Sequence, residues 1–238
     1  MEFENLPPAF DRFRILIMGD VHFDGDPAGA AGMAALVEGL AYDCCVFTGD
    51  YVFEEDMPPE TVYAGMSTLL ASIQAPHGLY GILGNNDVSA FVPLLRDLGI
   101  TMLVNEATWL ENGGDRIRIV GTDDPHDFHC DNLEVALDGT PEDCFKLALV
   151  HTPERAAEAA RLGINAYLCG HTHWGQICLP GGIAPTLNSR CPRKLCQGPW
   201  HCNGMLGYTT AGLGCTALPV RYNCPPEATL IEFRTKRA

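Results

Sequence analysis

The 238-residue sequence predicts an α/β fold, and two observations carry that prediction. Strand-like apolar runs alternate with helical stripes through the first two thirds of the chain, the pattern of βαβ crossovers around a buried sheet. No internal repeat, linker or break in composition interrupts it, so one domain over residues 1–238 is expected.

The elements follow in order. Arg14 to Met18 is a short apolar run that stops at Gly19-Asp20, a strand and its turn. Met33, Leu36, Val37 and Leu40 fall at i, i+3, i+4 and i+7, the stripe of a helix packed on a sheet. Cys44 to Thr48 is a second strand, halted at Gly49-Asp50, and Met66, Leu69, Leu70 and Ile73 repeat the stripe. A third strand, Gly78 to Leu83, stops at Gly84-Asn85. The next helix carries Phe91, Leu94, Leu95 and Leu98. Pro93 lacks an N–H and suits only a first turn, which places the start near Ala90. Gly113-Gly114 marks a hairpin turn.

Lys146 to Val150 is a strand ending at His151. Thr152 then reads as an N-cap, Pro153 as the first helical residue and Glu154 as an acid in the first turn, with Gly163 as the C′ residue. Ala166 to Cys169 is a strand ending at Gly170-His171. Glycine, proline and cysteine dominate residues 179–207, which read as one long loop and a candidate lid. Tyr208 to Thr210 and Thr229 to Phe233 close the chain as short strands.

Composition bounds the function. Apolar residues at 47% and charged residues at 19% support a full core, excluding disorder, collagen and coiled coil. No apolar run reaches the roughly 18 residues of a membrane span. The opening residues lack the basic-then-apolar order of a secretory signal, so a cytoplasmic location is expected. Fifteen basic against thirty acidic residues give a charge of −15. That field repels a nucleic-acid backbone, and any anionic substrate unless bound cations reverse it locally. Eleven cysteines, an odd number within apolar runs, indicate buried thiols in a reducing compartment. Cys191, Cys196 and Cys202 crowd one stretch with His201, yet their spacing matches no zinc ribbon or finger.

Potential metal ligands end the strands: Asp20 with His22, Asp50, Asn85, His151, and His171 with His173. In open α/β sheets, sites form beyond the carboxyl ends of strands. Turn chemistry explains any one of these residues, but not their common placement. Asp20-x-His22 and His171-x-His173 put two ligands on one side of an extended backbone. Carboxylate, amide oxygen and imidazole together suit Zn²⁺, Mn²⁺ or Fe²⁺ better than Ca²⁺. The set exceeds the needs of one ion, so two ions about 3.5–4 Å apart under a bridging carboxylate are expected. Such a pair supplies the positive potential the chain lacks.

Gly19-Asp20-Val21-His22, Gly49-Asp50, Gly84-Asn85-Asn86-Asp87, His151 and Gly170-His171-Thr172-His173 resemble the calcineurin-like metallophosphoesterases over residues 14–233. The resemblance implies a two-sheet β-sandwich flanked by helices, with a dinuclear site at the strand ends. It implies that Asp20, His22 and His173 hold one ion, that Asn85, His151 and His171 hold the other, and that Asp50 bridges. His171 to Ile177 followed by Leu179-Pro180, then Gly212-Leu213-Gly214, Pro219 to Tyr222 and Cys224-Pro225-Pro226-Glu227, resemble one bacterial branch. That branch includes membrane-associated phosphoesterases and UDP-2,3-diacylglucosamine hydrolases of lipid A biosynthesis. Trp174 stands where the branch has glycine.

In the family's third motif a histidine follows the asparagine, contacts phosphate and protonates the leaving group. This chain has Asn86 there, beside Asp87, and both are expected at the catalytic centre. An amide donates a hydrogen bond but transfers no proton near neutrality. General acid catalysis is worth about 10²–10⁴-fold, and its loss weighs most on poor leaving groups such as alkoxides. A phosphodiester or pyrophosphate substrate, including a lipid-linked UDP-sugar, is therefore expected. The alternatives are a phosphomonoesterase, a cyclic-nucleotide phosphodiesterase, and a non-catalytic scaffold of the same fold.

His126 and His129, on the polar loop Asp123 to His129, and Arg221 are candidates for substrate contact, against a reading as ordinary surface residues. Leu179, Ile183, Leu187, Leu195, Trp200, Met205 and Leu206 would either meet an acyl chain or fold back onto the core. Neither a Gly-x-Ser-x-Gly elbow nor a phosphate-binding glycine loop is present.

Overall fold

Residues Ile15 to Met18 are buried on both faces of their strand, as in a parallel strand covered from two sides. The computed structural model describes residues 1–23, 27–54 and 57–236. In chain order its first half holds β1 (Glu2–Phe3), β2 (Arg14–Met18), α1 (Pro27–Val37), β3 (Cys44–Phe47), α2 (Pro59–Leu70), β4 (Leu79–Gly81), α3 (Phe91–Asp97), β5 (Ile100–Met102) and β6 (Glu106–Asn112). There follow β7 (Asp115–Gly121), α4 (Leu133–Ala136), β8 (Lys146–Leu149), α5 (Ala156–Arg161), β9 (Ala166–Cys169), β10 (Gly198–Cys202), β11 (Met205–Thr209), β12 (Thr229–Glu232) and β13 (Arg234–Thr235).

Two sheets form. One has the order β12-β2-β3-β4-β5, parallel except for β12. The other has the order β10-β11-β9-β8-β7-β6, with a parallel centre between antiparallel ends. The two-residue period of a strand then sorts the side chains. Ile15, Ile17 and Val46 meet Ile119, Leu147, Leu149 and Leu168 between the sheets. Leu16, Met18, Cys45 and Phe47 face outward onto Val37, Met66, Leu69 and Leu95 of α1–α3. On the far side, Val120, Ala148 and Tyr167 pack against Leu133, Ala136, Ala156 and Ala159 of α4 and α5. The result is a two-sheet sandwich flanked by helices. Each large apolar side chain buried in it contributes roughly 1.5–3 kcal/mol. β1 and β13 pair as a separate two-stranded ribbon.

Two local expectations change. α1 buries Ala30, Ala34 and Val37, while Leu36 and Leu40 are exposed. The helix ends at Val37, and Gly39 turns the chain with φ 74°, so the stripe is set by two alanines that allow close approach to the sheet. Residues 179–207 are also not one loop, because β10 and β11 form a hairpin on the second sheet. Its turn is Asn203-Gly204, with φ 47° and 88°, the positive pair that this dipeptide favours. Leu195, Trp200 and Met205 fold into the core, Leu187 and Leu206 are half-buried, and Leu179 and Ile183 stay exposed. Among the described residues, no helix is long and apolar enough to cross a membrane.

Candidate metal centre

β2, β3 and β4 are parallel in one sheet and β8 and β9 in the other, so the turns beyond each set gather at one edge. In those turns Asp20, His22, Asp50, His171 and His173 have φ between 44° and 69°. Left-handed backbone costs a non-glycine residue roughly 1–2 kcal/mol. The turns interlock closely: a Cβ at Gly84 would collide with Asp50 Oδ1, and one at Gly49 with the backbone of Gly84.

Two groups of donor atoms result, Asp20 with His22 and His173, and Asp50 with His151 and His171. Within each group the atoms lie within 4.8 Å of one another. Nε2 of His22 is 3.1 Å from Nε2 of His173, and Nδ1 of His171 is 3.2 Å from Nε2 of His151. Asp50 Oδ2 stands between the groups, 3.4 Å from His151 Nε2 and 3.8 Å from His22 Nε2. Asn85 Oδ1 is 3.0 Å from His151 Nε2 and extends the second group.

Carbonyl oxygens orient two of the rings. His22 Nδ1 donates to Val52 O at 2.8 Å, and His151 Nδ1 donates to Thr48 O at 2.7 Å. A carbonyl only accepts, so both Nδ1 atoms carry hydrogen and both Nε2 atoms face the cluster. Arg221 Nη2 donates to His173 Nδ1 at 3.1 Å. Asp20 Oδ2 and His171 Nε2 are buried without a hydrogen-bond partner. Converging lone pairs and an orphaned carboxylate oxygen are costly alone and suit two divalent cations. The donor set therefore fits the pair of ions the family uses.

Electrostatics agree with that fit. Burial pushes Asp20 up to about 6, against the pull of His151. Burial also acts to raise Asp50, but the charge and hydrogen bond of His151 hold its carboxyl well below the usual range. His151 itself is raised to about 10, because Asp50 outweighs its burial, and an ion bound there would take the place of its Nε2 proton beside Asp50. Burial and neighbouring cationic groups push His171 and His173 well below the usual imidazole value, so both remain available as neutral ligands.

The other expected residues are distributed unevenly. Asn86 lines a cleft of about 380 Å³ together with Asp50, Asn85, His171 and His173. Its backbone N–H donates to Asp50 Oδ1 at 3.0 Å. Asp87 points inward instead. Its Oδ2 accepts from the N–H of Asp50 and of Gly84, both at 2.7 Å, and its Oδ1 accepts from Tyr51 N–H at 2.8 Å. Burial, then the Asp50 charge, push this carboxyl up to about 7.

His126 is buried beside the cluster, its ring centroid 4.2 Å from that of His171 and its Nδ1 3.0 Å from Glu154 Oε1. His129 faces a different surface cleft, bonded to Pro125 O and to Arg190. The Arg221 guanidinium is occupied by Ala211 O and Gly214 O behind His173.

Sequence reasoning missed Asp127. Its Oδ2 accepts from Asn85 Nδ2 at 3.0 Å, which turns the amide oxygen of Asn85 toward His151. The signal lies in Asp124-Pro125-His126-Asp127. The buried Asp124 carboxylate takes the N–H groups of His126, Asp127 and Phe128 at 2.7–2.9 Å and curls the loop, so that Asp127 reaches the cleft.

A sandwich of this topology with two ligand groups at its strand ends defines a class of metal-dependent hydrolases. Residues 13–175 match the family model of the calcineurin-like phosphoesterases, and the chain belongs to that family. It is 28% identical over 238 residues to the uncharacterized metallophosphoesterase YkuE of Bacillus subtilis, covering 97% of this chain and 82% of that one. It is 28% identical over 234 residues to the phosphodiesterase YaeI of Escherichia coli K12, covering 93% and 82%. Among solved structures, TT1561 of Thermus thermophilus superposes with a TM-score of 0.54 over 84% of this chain and 90% of that one. At 12% identity this is a likeness of fold alone.

Proposed function

We propose that this chain is a dinuclear phosphoesterase that cleaves phosphodiester or pyrophosphate bonds with stable leaving groups, with lipid-linked UDP-sugars within its substrate class. The observation that carries the reading is Asn86, an amide lining the cleft beside a full set of ligand positions. Asp20, His22 and His173 would hold one ion (Mn, Zn or Fe), Asn85, His151 and His171 the other, and Asp50 would bridge. When bound, the two ions neutralise the phosphoryl group and lower the pKa of an attacking water.

The residues of the chain do the rest. Asn86 Oδ1 accepts from Asn85 Nδ2 at 3.0 Å, which leaves the Asn86 amide N–H groups to donate to a phosphoryl oxygen. No proton passes from this amide to a leaving group, and that favours esters whose leaving group needs none.

The rim of the cleft supports a lipid-linked substrate and peripheral contact with a membrane. Gly175, Gln176 and Thr216 line the cleft. The adjoining Ile177, Leu179, Ile183, Leu218, Val220 and Tyr222 are exposed. Ile177 bridges to Tyr222 and Leu179 to Ile183, and such exposed apolar side chains beside a polar cleft suit an acyl chain or a lipid surface. Activity at the cytoplasmic face of a membrane, as in lipid A synthesis, follows from this reading.

The test compares bis-p-nitrophenyl phosphate with p-nitrophenyl phosphate, using Mn²⁺-loaded protein and Asp50→Ala as control. Diester hydrolysis should exceed monoester hydrolysis and vanish in the variant. A preference for the monoester overturns the Asn86 argument. A rate on UDP-linked lipid that does not exceed that on its deacylated form overturns the lipid assignment.

A further inference from the structure

Cys191 and Cys196 bracket a single turn, Arg193–Leu195, in the loop that walls the metal cleft through Asn188. Leu195 N–H donates to Pro192 O at 2.9 Å and Cys196 N–H to Arg193 O at 3.0 Å. The chain folds back, and the two sulfurs lie 3.6 Å apart. Among the described residues no other two thiols share a hydrogen bond.

The surroundings separate this pair from the buried thiols. Burial pushes the Cys44, Cys45 and Cys169 thiols up, so they remain inert. The hydrogen bond between the two thiols, in contrast, draws Cys196 down to about 7 against its burial and pushes Cys191 well up, so the shared proton rests on Cys191. Cys191 is half-buried and lines a surface cleft of about 600 Å³ beside His129, Arg190 and Lys194. That cleft offers cationic groups to an anionic small molecule in a chain of net charge −15.

We propose that Cys191 and Cys196 form a reversible disulfide by exchange with a small anionic disulfide that enters this cleft. Cys191 attacks one sulfur of the incoming disulfide as its proton passes to the Cys196 sulfur beside it, releasing one thiolate and leaving a mixed disulfide. The released thiolate takes that proton, and the Cys196 thiolate then attacks the Cys191 sulfur and expels the second. Two protein thiols are oxidised, one small disulfide is reduced to two thiols, and the two protein-derived protons end on those products. The sulfurs close from 3.6 Å to a bond of about 2.0 Å, a movement that a surface turn accommodates.

The bond would act on the metal centre through two contacts. Cys196 O accepts from Thr172 Oγ1 at 2.7 Å, and Thr172 stands between His171 and His173. Beside Cys191, Arg190 N–H donates to Glu154 Oε1 at 2.7 Å, and Glu154 in turn holds His126 against His171.

The experiment incubates the full chain in buffers of increasing oxidised-to-reduced glutathione ratio, alkylates free thiols and maps the digest by mass spectrometry. The Cys191–Cys196 crosslink should form before any other thiol reacts and should disappear with dithiothreitol. Cys196→Ser should stop at a glutathione adduct on Cys191, because the resolving thiol is gone. Far-ultraviolet circular dichroism of that variant, matched to the parent chain, shows that it is folded. A parent chain that stops at mixed disulfides, or that links Cys191 to Cys202 instead, overturns the proposal. Hydrolysis of bis-p-nitrophenyl phosphate should change at least about twofold on oxidation and recover on reduction, while Cys191→Ser stays insensitive; an unchanged rate in the crosslinked chain overturns the coupling to the metal centre. The mass readout needs no catalysis, so its failure and that of the hydrolase reading are separable.

Discussion

Asp87→Ala should destabilise the protein by about 3–5 kcal/mol, although Asp87 is not itself among the residues that line the metal cleft. The magnitude comes from three hydrogen bonds. Asp87 Oδ2 takes the N–H of Asp50 and of Gly84, and Oδ1 takes that of Tyr51, all at 2.7–2.8 Å. Bonds to a charged acceptor contribute about 1.5–3 kcal/mol each, and the cost of burying the carboxylate offsets part of their sum. Alanine leaves three backbone donors unpaired where water enters with difficulty.

Asp87→Asn keeps an acceptor for two of the donors and turns its NH₂ on the third, so its loss should be about 1–3 kcal/mol. Urea unfolding followed by tryptophan fluorescence, with chelator present, measures both variants. These donors belong to the turns that carry Asp50 and Asn85. Asp87→Asn should therefore also weaken Mn²⁺ binding by about tenfold in calorimetric titration. A loss below about 1 kcal/mol in the alanine variant, or equal losses in both, would refute the reasoning.

Asp127→Ala should weaken one of two Mn²⁺ sites by about tenfold in chelator competition while Asp127→Asn stays near the parent value, because the asparagine oxygen still accepts from Asn85 Nδ2. Equal behaviour of the two variants would contradict the positioning role. Asn86→His should raise kcat/KM for alkyl monophosphates by about 10–100-fold and leave aryl diesters little changed. A uniform effect on both substrates would count against a missing acid. In the chelated protein the Asp20 share of the stability, read as the difference between the parent chain and Asp20→Asn, should fall as pH rises from about 4 to 6, where the folded chain holds the Asp20 proton and the unfolded chain releases it; the contribution present below the unfolded value is lost through the folded value of about 6. Mn²⁺-loaded protein should show the opposite slope, since binding needs the carboxylate ionised. Parallel melting-temperature profiles by calorimetry would sink this account.

The strand ends were legible because four apolar runs halt at a glycine followed by a polar residue and a fifth halts at His151, and β9 falls where its pattern places it. The Thr152 cap and the Gly163 terminus were legible for the same local reason: Thr152 accepts from Glu154 N–H, and Gly163 has φ 77°. The register of α1 was not. Its buried face rests on Ala30 and Ala34, which a hydrophobic stripe of large residues passes over. β10 was hidden by Pro199, a residue tolerated on the edge strand that β10 is. The roles of Asp87 and Arg221 depend on contacts across 36 and 48 positions, which no local pattern encodes, and the local curl at Asp124 does not by itself reveal the Asn85 partner that Asp127 meets 42 positions away.

The position of β12 bears on how the chain is made. β2 lies between β3 and β12, and its partner Thr229–Glu232 is synthesised long after Arg14–Met18. At about 5–20 residues per second, Ile15-Leu16-Ile17-Met18 emerges some 10–40 seconds before the strand that covers its free edge. During that interval the first sheet presents an uncharged aliphatic edge, the kind of surface on which strands of other chains add. The edge of β2 is thus exposed for the whole delay between two strands that end as neighbours, and a chaperone that shields it should raise the soluble fraction of newly made chain.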